Sequence, residues 1–446
     1  MLSNLKLNRR KFIQSVGVLL GGLTTAGLEF KVQPGVQKLN LFLKRAKKPC
    51  ADRTPSHIFV ARGRTPEQNI ACVIDMMGGI GKIIGKDDIV ILKPNAQWRG
   101  HGGSNTDAIK GFIDLVLGMA GFRGEIIIAE NHHAAEDDSL GWTTTQRNGQ
   151  FNLNELVRYF NDKGFRNVSK YHWHDAGPNP YPLQFPGGYG KIVAGPDEGD
   201  GYVWTNEVYE WEGRRSKMTY PIFTSTYSKK TIDLKHGVWR NRDFTGQPVK
   251  LINFSTLNHH SKIFGVTASI KNYLGIVDMT CGVHGTEPVG YYNFHYVGLG
   301  WSKDHSVGRF LEANLTRPSM QQFKFMMKAI RYFGPGNGAT GGAVGRFMQT
   351  IRKADLNIIA AEYVGYEGRL EPPIRTRTVL ASIDPVALDY YAAKHVLLPL
   401  GGSKAKFNDP DWKEGPFRKF LERCQGEGVG TLCEEDMIVL EESVAV

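Results

Sequence analysis

Two uninterrupted apolar runs, Asp88-Ile-Val-Ile-Leu-Lys93 and Glu125-Ile-Ile-Ile-Ala-Glu130, constrain the fold of this chain more than any other feature. A strand with one wet face alternates apolar with polar residues, whereas a run without that alternation requires cover on both faces, as in parallel sheets. Residues 105–119, between the two runs, have amphipathic helical spacing, and residues 153–163 repeat it. Strands separated by helices in this way imply βαβ units. The same grammar reads His57-Ile-Phe-Val-Ala61, Val249-Lys-Leu-Ile-Asn-Phe254, Leu356-Asn-Ile-Ile-Ala-Ala361, Thr378-Val-Leu-Ala-Ser382 and Met437-Ile-Val-Leu440 as further strands. It reads residues 66–78, 267–274, 385–398 and 417–424 as helices, the first opened by Thr65 as cap and Pro66 at its first position. Residues 305–353 are read as mostly helical. Residues 170–245 break the alternation with Trp173, Tyr181, Tyr189, Trp204, Tyr209, Trp211 and Tyr220 among Gly and Pro, which predicts a β-rich insertion. The expected fold is therefore α/β: a Rossmann-like, mainly parallel sheet with helices on both faces and an aromatic-rich β insertion.

The amino terminus has a different character. Asn8-Arg-Arg-Lys-Phe-Ile-Gln14, followed by the uncharged residues 15–28, resembles a twin-arginine export signal. The apolar part falls short of the roughly 20 residues a spanning helix needs, so no permanent transmembrane anchor is expected. Residues 1–28 are assigned to the signal, 29–56 to a basic linker, 57–400 to the α/β domain and 401–446 to a carboxy-terminal helix and strand extension. The expected location is periplasmic or extracellular, with the twin-arginine machinery as a partner. Net charge is +11, but residues 1–53 hold eleven Lys or Arg against Glu29 and Asp52, leaving the rest at only +2. A near-neutral body has little with which to displace counterions from phosphates, so nucleic acid is not an expected partner. The five cysteines, at 50, 72, 281, 424 and 433, form no C-x-x-C run, and no iron–sulfur cluster is expected within the chain. Cys424 and Cys433 flank a glycine-rich turn and are candidates for a disulfide, with free thiols as the equal alternative.

Standard catalytic signatures are absent. Gly336-Asn-Gly338-Ala-Thr-Gly341 matches G-x-G-x-x-G literally, but it follows a helical run instead of a strand and reads as a helix-to-helix connector. The informative residues stand at strand ends, where parallel α/β sheets gather ligands. Lys93-Pro-Asn95 ends the first buried run and Glu130-Asn-His132-His133 the second, while Asn258-His-His260-Ser-Lys262 follows the strand at 249–254. Thr267 is a candidate cap for a short helix bearing Lys271 and Asn272, and a lysine there opposes the helix dipole unless it pairs or binds a ligand. Lys93, His260, Lys262 and Lys271 together would make a cationic pocket for a carboxylate or phosphate group, the alternative being solvated surface lysines. His172 and His174 would share one face of a strand, which with His132 and His284 makes them candidates for a metal. Ser382-Ile-Asp384-Pro-Val-Ala-Leu-Asp389 has an immediate structural reading, with Asp384 as helix cap, and a minority reading of Asp384 as a catalytic carboxylate.

Taken in order, Ile91-Leu-Lys-Pro-Asn95, the segment from His260 through Thr267 to Lys271-Asn-x-x-Gly275, and Ser382-x-Asp-Pro-Val-Ala-Leu-Asp389 resemble the domain of unknown function 362 family, over about residues 57–400. The resemblance implies an α/β architecture and, in many members, twin-arginine export; some members carry ferredoxin-type cysteine clusters, which this chain lacks. The functional expectation is an exported enzyme or redox accessory acting on an anionic small molecule, with metal or other cofactor left open. Lys93, Asn95, Lys262, Lys271 and Asn272 would hold the ligand, His260 would act as acid or base, and Glu130 or Asp384 would orient it. A non-catalytic binding protein using the aromatic surface of residues 170–227 is the alternative.

Overall fold

The computed structural model describes residues 55–131, 140–177, 189–212, 214–280, 294 and 337–444. They fall within one compact unit, Arg53–Val446. The export-signal segment, the linker up to residue 54, His132, His284 and most of the expected helical region lie outside the described residues.

Fifteen strands are described. β1 (Ser56–Arg62), β2 (Ile89–Lys93), β3 (Glu125–Asn131), β4 (Val168–Trp173), β10 (Val249–Ser255), β13 (Leu356–Val364), β14 (Ile374–Ser382) and β15 (Met437–Ser443) form one sheet. Its spatial order is β15-β1-β14-β13-β10-β2-β3-β4. Only β14 runs against the rest: it pairs antiparallel with β13 and β1, while every other pairing is parallel. The continuous apolar runs are buried along their whole length, as two-sided cover requires.

Successive residues of each strand enter two different cores. Val90, Leu92, Ile126 and Ile128 face helices α1 (Pro66–Met76), α2 (Thr106–Leu117) and α3 (Leu153–Asp162). The starts of these helices follow the sequence closely. Thr65 and Gln68 make a reciprocal capping box, Pro66 takes the first position, and Asn105 and Asn152 accept from backbone amides at the next two starts. Ile89, Ile91, Ile127 and Leu251 face the other core, built with α4 (Ser269–Asn272), α5 (Ala339–Thr350), α6 (Pro385–Ala392) and α8 (Pro416–Gly426); a short α7 (Ala405–Asn408) lies between the last two in sequence.

The insertion is also present in this second core. β5 (Gly201–Trp211), β6 (Arg214–Thr224), β7 (Thr231–Asp233), β8 (Gly237–Arg240) and β9 (Asp243–Phe244) form an antiparallel meander. The alternative of a binding surface made by the aromatics of residues 170–227 meets a mostly inward arrangement among the described residues. Trp173, Tyr202, Tyr209 and Tyr220 are buried in the core, and Trp211 is covered by Arg423 at 3.5 Å. Of the described aromatics in this region, Tyr189 and Tyr227 are exposed. On a strand, side chains alternate faces, so an aromatic-rich meander packed on a larger sheet turns much of its ring area inward.

One further expectation is corrected. Cys424 is buried and free on the apolar stripe of α8, so it does not pair with Cys433. The start of the G-x-G-x-x-G segment lies outside the described residues; Gly338 sits at φ 76° at the start of α5, and Gly341 lies inside the helix against the backbone of Phe420. The missing Cβ atoms let α5 and α8 pack closely. The last helix and strand are likewise integral, since β15 extends the main sheet beside β1. Among the described residues no helix is long and apolar enough to cross a membrane.

Candidate functional site

The strand order reverses its direction of growth between β2 and β10: β3 and β4 follow β2 to one side, whereas β13 lies beyond β10 on the other. Chains leaving two such strands diverge, opening a crevice at their carboxyl ends. A cleft occupies that position, lined by Asn95, Gln97, Trp98, Glu130, His260, Thr267, Lys271, Asn272, Leu274 and Gly275. Its cavity of about 20 Å³ holds one water or the oxygen end of a ligand.

The floor is polar and fully engaged. Lys93, Asn253 and Asn357 stand side by side on β2, β10 and β13, with Ser382 next on β14. Lys93 Nζ donates to Pro94 O at 2.5 Å, to Glu130 Oε1 at 3.0 Å and to Asn272 Oδ1 at 3.0 Å. Three acceptors match the three protons of an ammonium, and Glu130 receives both this donor and the amide of Ala96, so the pair is ionic. Burial pushes Glu130 up and Lys93 down from their ordinary values, with each partner's opposite charge restraining the other's shift. Asn272 Nδ2 donates to Asn253 Oδ1 at 2.8 Å, and Asn253 Nδ2 to Asn357 Oδ1 at 2.9 Å, tying α4 to the sheet. Gly275 lies directly over the ion pair, where a Cβ would come within 3.0 Å of both partners.

The wall is the hairpin of β11 (Asn258–Ser261) and β12 (Gly265–Thr267). Thr267 belongs to this hairpin and does not cap α4. Asp389 does so from α6: it accepts from the amides of Ser269 at 2.8 Å and Ile270 at 2.9 Å and from the Ser269 hydroxyl. Burial nevertheless pushes the Asp389 carboxyl up to about 7. His260 Nδ1 lies 2.8 Å from Thr267 Oγ1 and 3.0 Å from Arg369 Nη1. The same Arg369 nitrogen lies 3.5 Å from His260 Nε2, so the guanidinium sits against the ring and touches both of its nitrogens. Arg369 also stacks on Trp98 at 3.9 Å. Lys271 is buried with Nζ 4.6 Å from the Phe264 ring centre. Burial, and then the Arg369 charge, hold its amine well below the ordinary lysine value.

The structure thus brings Asn95, Glu130, His260, Lys271 and Asn272 to one cleft. Lys93 is beneath it, with 0 % of its side chain exposed and its donors spent inward, so it supports the floor without facing a ligand. Lys262 is half-buried on the hairpin turn and does not line the cleft. Asp384 is elsewhere: Oδ1 caps α6 through the amides of Val386 and Ala387, while Oδ2 takes the Thr431 amide and the Ser56 hydroxyl. With Oδ1 committed to the cap and Oδ2 to Thr431 and Ser56, Asp384 does not orient His260. The His172 ring packs tilted against Trp142 at 4.2 Å, and with His174 it borders a separate cleft along edge strand β4. Among the described residues no group of three or more His, Cys, Asp or Glu suited to a metal forms. Sequence reading missed Trp98, Gln97 and Arg369. Arg369 had a signal: it lies in the Gly- and Pro-rich turn after buried strand β13, at the same sheet edge as the other strand-end residues.

Residues 247–394 match the family model described as "Domain of unknown function (DUF362)". The match spans β10 to α6 and contains His260, Lys271, Arg369 and Asp389; Lys93 and Glu130 precede it. No curated protein and no solved structure matches the chain.

Proposed function

We propose that the cleft binds the acidic group of a small molecule and is the acid–base centre of an exported enzyme. The observation that carries the reading is placement: Lys271, His260 and Arg369 converge beyond the carboxyl ends of β2 and β10, where the strand order reverses. The parallel order β4-β3-β2-β10-β13 supports the Rossmann-like description for this half of the sheet. Arg369 supplies a permanent cation with a planar face braced by Trp98, the geometry suited to a carboxylate. Lys271 supplies a second nitrogen to the same cleft, and His260, against Arg369, supplies an imidazole that can take up or give a proton. The Lys93–Glu130 pair cancels its own charge and holds the floor rigid.

Titration calorimetry with glycolate, a minimal hydroxy acid, tests the reading. A charge-assisted hydrogen bond contributes about 1.5–3 kcal/mol, so Arg369→Met weakens glycolate about 10- to 100-fold while the fold is retained. Equal affinity in wild type and variant overturns the assignment.

A further inference from the structure

We infer that the cleft along edge strand β4 is a second binding site, independent of the acid-binding cleft, and that it takes a short linear saccharide bearing carboxylates. Its shape is the starting point. β4 is the last strand of the main sheet, and the cleft runs beside it between two walls. Val157 and Asn161 of α3 stand on one side, and Thr226 and Tyr227, from the turn between β6 and β7, on the other. Side chains of a strand alternate faces, so His172 packs against Trp142 on the first side while Tyr171 packs against Phe223 on the second. A trough of this kind accepts something elongated. The stretch Val168 to His172 alone runs ~13 Å at ~3.3 Å per residue, and Arg166 and His174 continue the lining at its two ends. The cavity is about 660 Å³, against about 20 Å³ for the first cleft. That volume lies within the roughly 300–1,000 Å³ of sites that enclose a whole small ligand.

The lining sets the chemistry. Arg166 is exposed at one end, and Lys170 is half-buried in the middle, bonded to Asn154 Oδ1 with Nζ 5.7 Å from the Trp142 ring centre. No carboxylate is among the described residues that line the cleft. Cations on a wall without acids favour an anionic ligand. The other groups are those that recognise sugar: Thr226 and the two imidazoles exchange hydrogen bonds with hydroxyls, and Tyr227, 48 % exposed, presents a flat apolar ring with a polar tip. An acidic peptide would meet the charge as well. Peptides added to a sheet edge, however, draw specificity from pockets for alternate side chains. The aliphatic residues among those described in the lining are Val157 and Val168 alone, so the cleft offers polar groups and ring faces where a peptide needs apolar pockets.

The test is titration calorimetry of the full chain with trigalacturonate, with maltotriose as a neutral linear sugar and hexaglutamate as an acidic peptide. Trigalacturonate is expected to bind more tightly than either. Arg166→Gln and Tyr227→Ala, both at exposed positions where the fold is retained, each weaken it about 10-fold. Arg369→Met, which acts in the other cleft, leaves it unchanged. Absence of trigalacturonate binding, an unchanged affinity in either β4-cleft variant, or a loss in Arg369→Met overturns the inference. Maltotriose binding as tightly as trigalacturonate removes the need for charge and overturns it too. Hexaglutamate binding as tightly or more tightly transfers the cleft to an acidic peptide and overturns the saccharide. Each of these outcomes is read separately from glycolate binding, so the acid-binding reading stands or falls by its own titration.

Discussion

Gly275→Ala isolates the energetic role of the cleft floor. A Cβ at this position would come within 3.0 Å of Lys93 Nζ and Glu130 Oε1, and 2.5 Å from Lys93 Cε. Neither partner is the loose end of a surface side chain: Lys93 is held by three acceptors and Glu130 by two donors. To admit the methyl group, the structure must either separate the ion pair or lift the turn at Tyr273–Gly275 from β2 and β3. The turn is itself restrained, because Asn131 Nδ2 donates to Leu274 O at 2.9 Å and Val277 O at 2.7 Å. Breaking a buried pair costs about 3–5 kcal/mol, a large part of the ~5–15 kcal/mol of a folded domain. Urea unfolding followed by tryptophan fluorescence measures it. Gly426→Ala is the control, since a Cβ there meets nothing within 4 Å at the exposed end of α8 and gains up to about 1 kcal/mol of helix propensity. On a Lys93→Ala background the new methyl group finds vacated room, so the cost of Gly275→Ala shrinks by well over 1 kcal/mol in the double-mutant cycle. A loss below ~1 kcal/mol for Gly275→Ala, with no coupling to Lys93, would refute the reasoning.

Two other outcomes are expected. The Asp389 carboxyl, raised from 3.8 to about 7, binds its proton more tightly folded than unfolded; stability therefore declines as pH rises between those values and levels off above about 7, by ~4 kcal/mol for a shift of ~3 units. Asp389→Asn removes this decline, and unfolding curves from pH 4 to 8 with the same slope in both proteins would contradict it. At the amino terminus, replacing Arg9 and Arg10 together by Lys retains the charge but loses the paired arginines, and cell fractionation shows the protein held in the cytoplasm; undiminished export removes the twin-arginine reading.

What could be read from the chain differs by the range of the interactions involved. The strands from Ile89 and Glu125 are legible because burial on both faces leaves a local mark, an apolar run without alternation. Thr65, Asn105 and Asn152 are legible because a cap acts within three residues of its own position. Glu130 and His260 were singled out by a rule about where parallel strands end, and Lys271 by its place at a short helix start; all three line the cleft. The same rule could not separate Lys93, whose inward fate depends on Asn272, 179 residues away. Asp384 and Asp389 show the limit within one motif. The first caps its own helix, as its neighbours announce, while the second reaches across to α4, which no local pattern announces. The aromatic meander was legible as β structure but not in its facing: rings of the same composition make a surface or a core depending on which side of the strand meets the larger sheet.

β1, near the start of the described structure, is flanked by β14 on one side and β15 on the other. Its parallel partner lies about 380 residues further along the chain, so this part of the sheet has the highest contact order in the molecule. At roughly 5–20 residues per second of synthesis, about 20–80 s separate the emergence of the two strands from the ribosome. Until then β1 has an open hydrogen-bonding edge, and pairing across that separation is intrinsically slow. A chain stopped short of residue 437 lacks the strand that covers this edge, and apolar β1 then stands where the exposed β15, with Glu441 and Glu442, otherwise forms the border of the sheet.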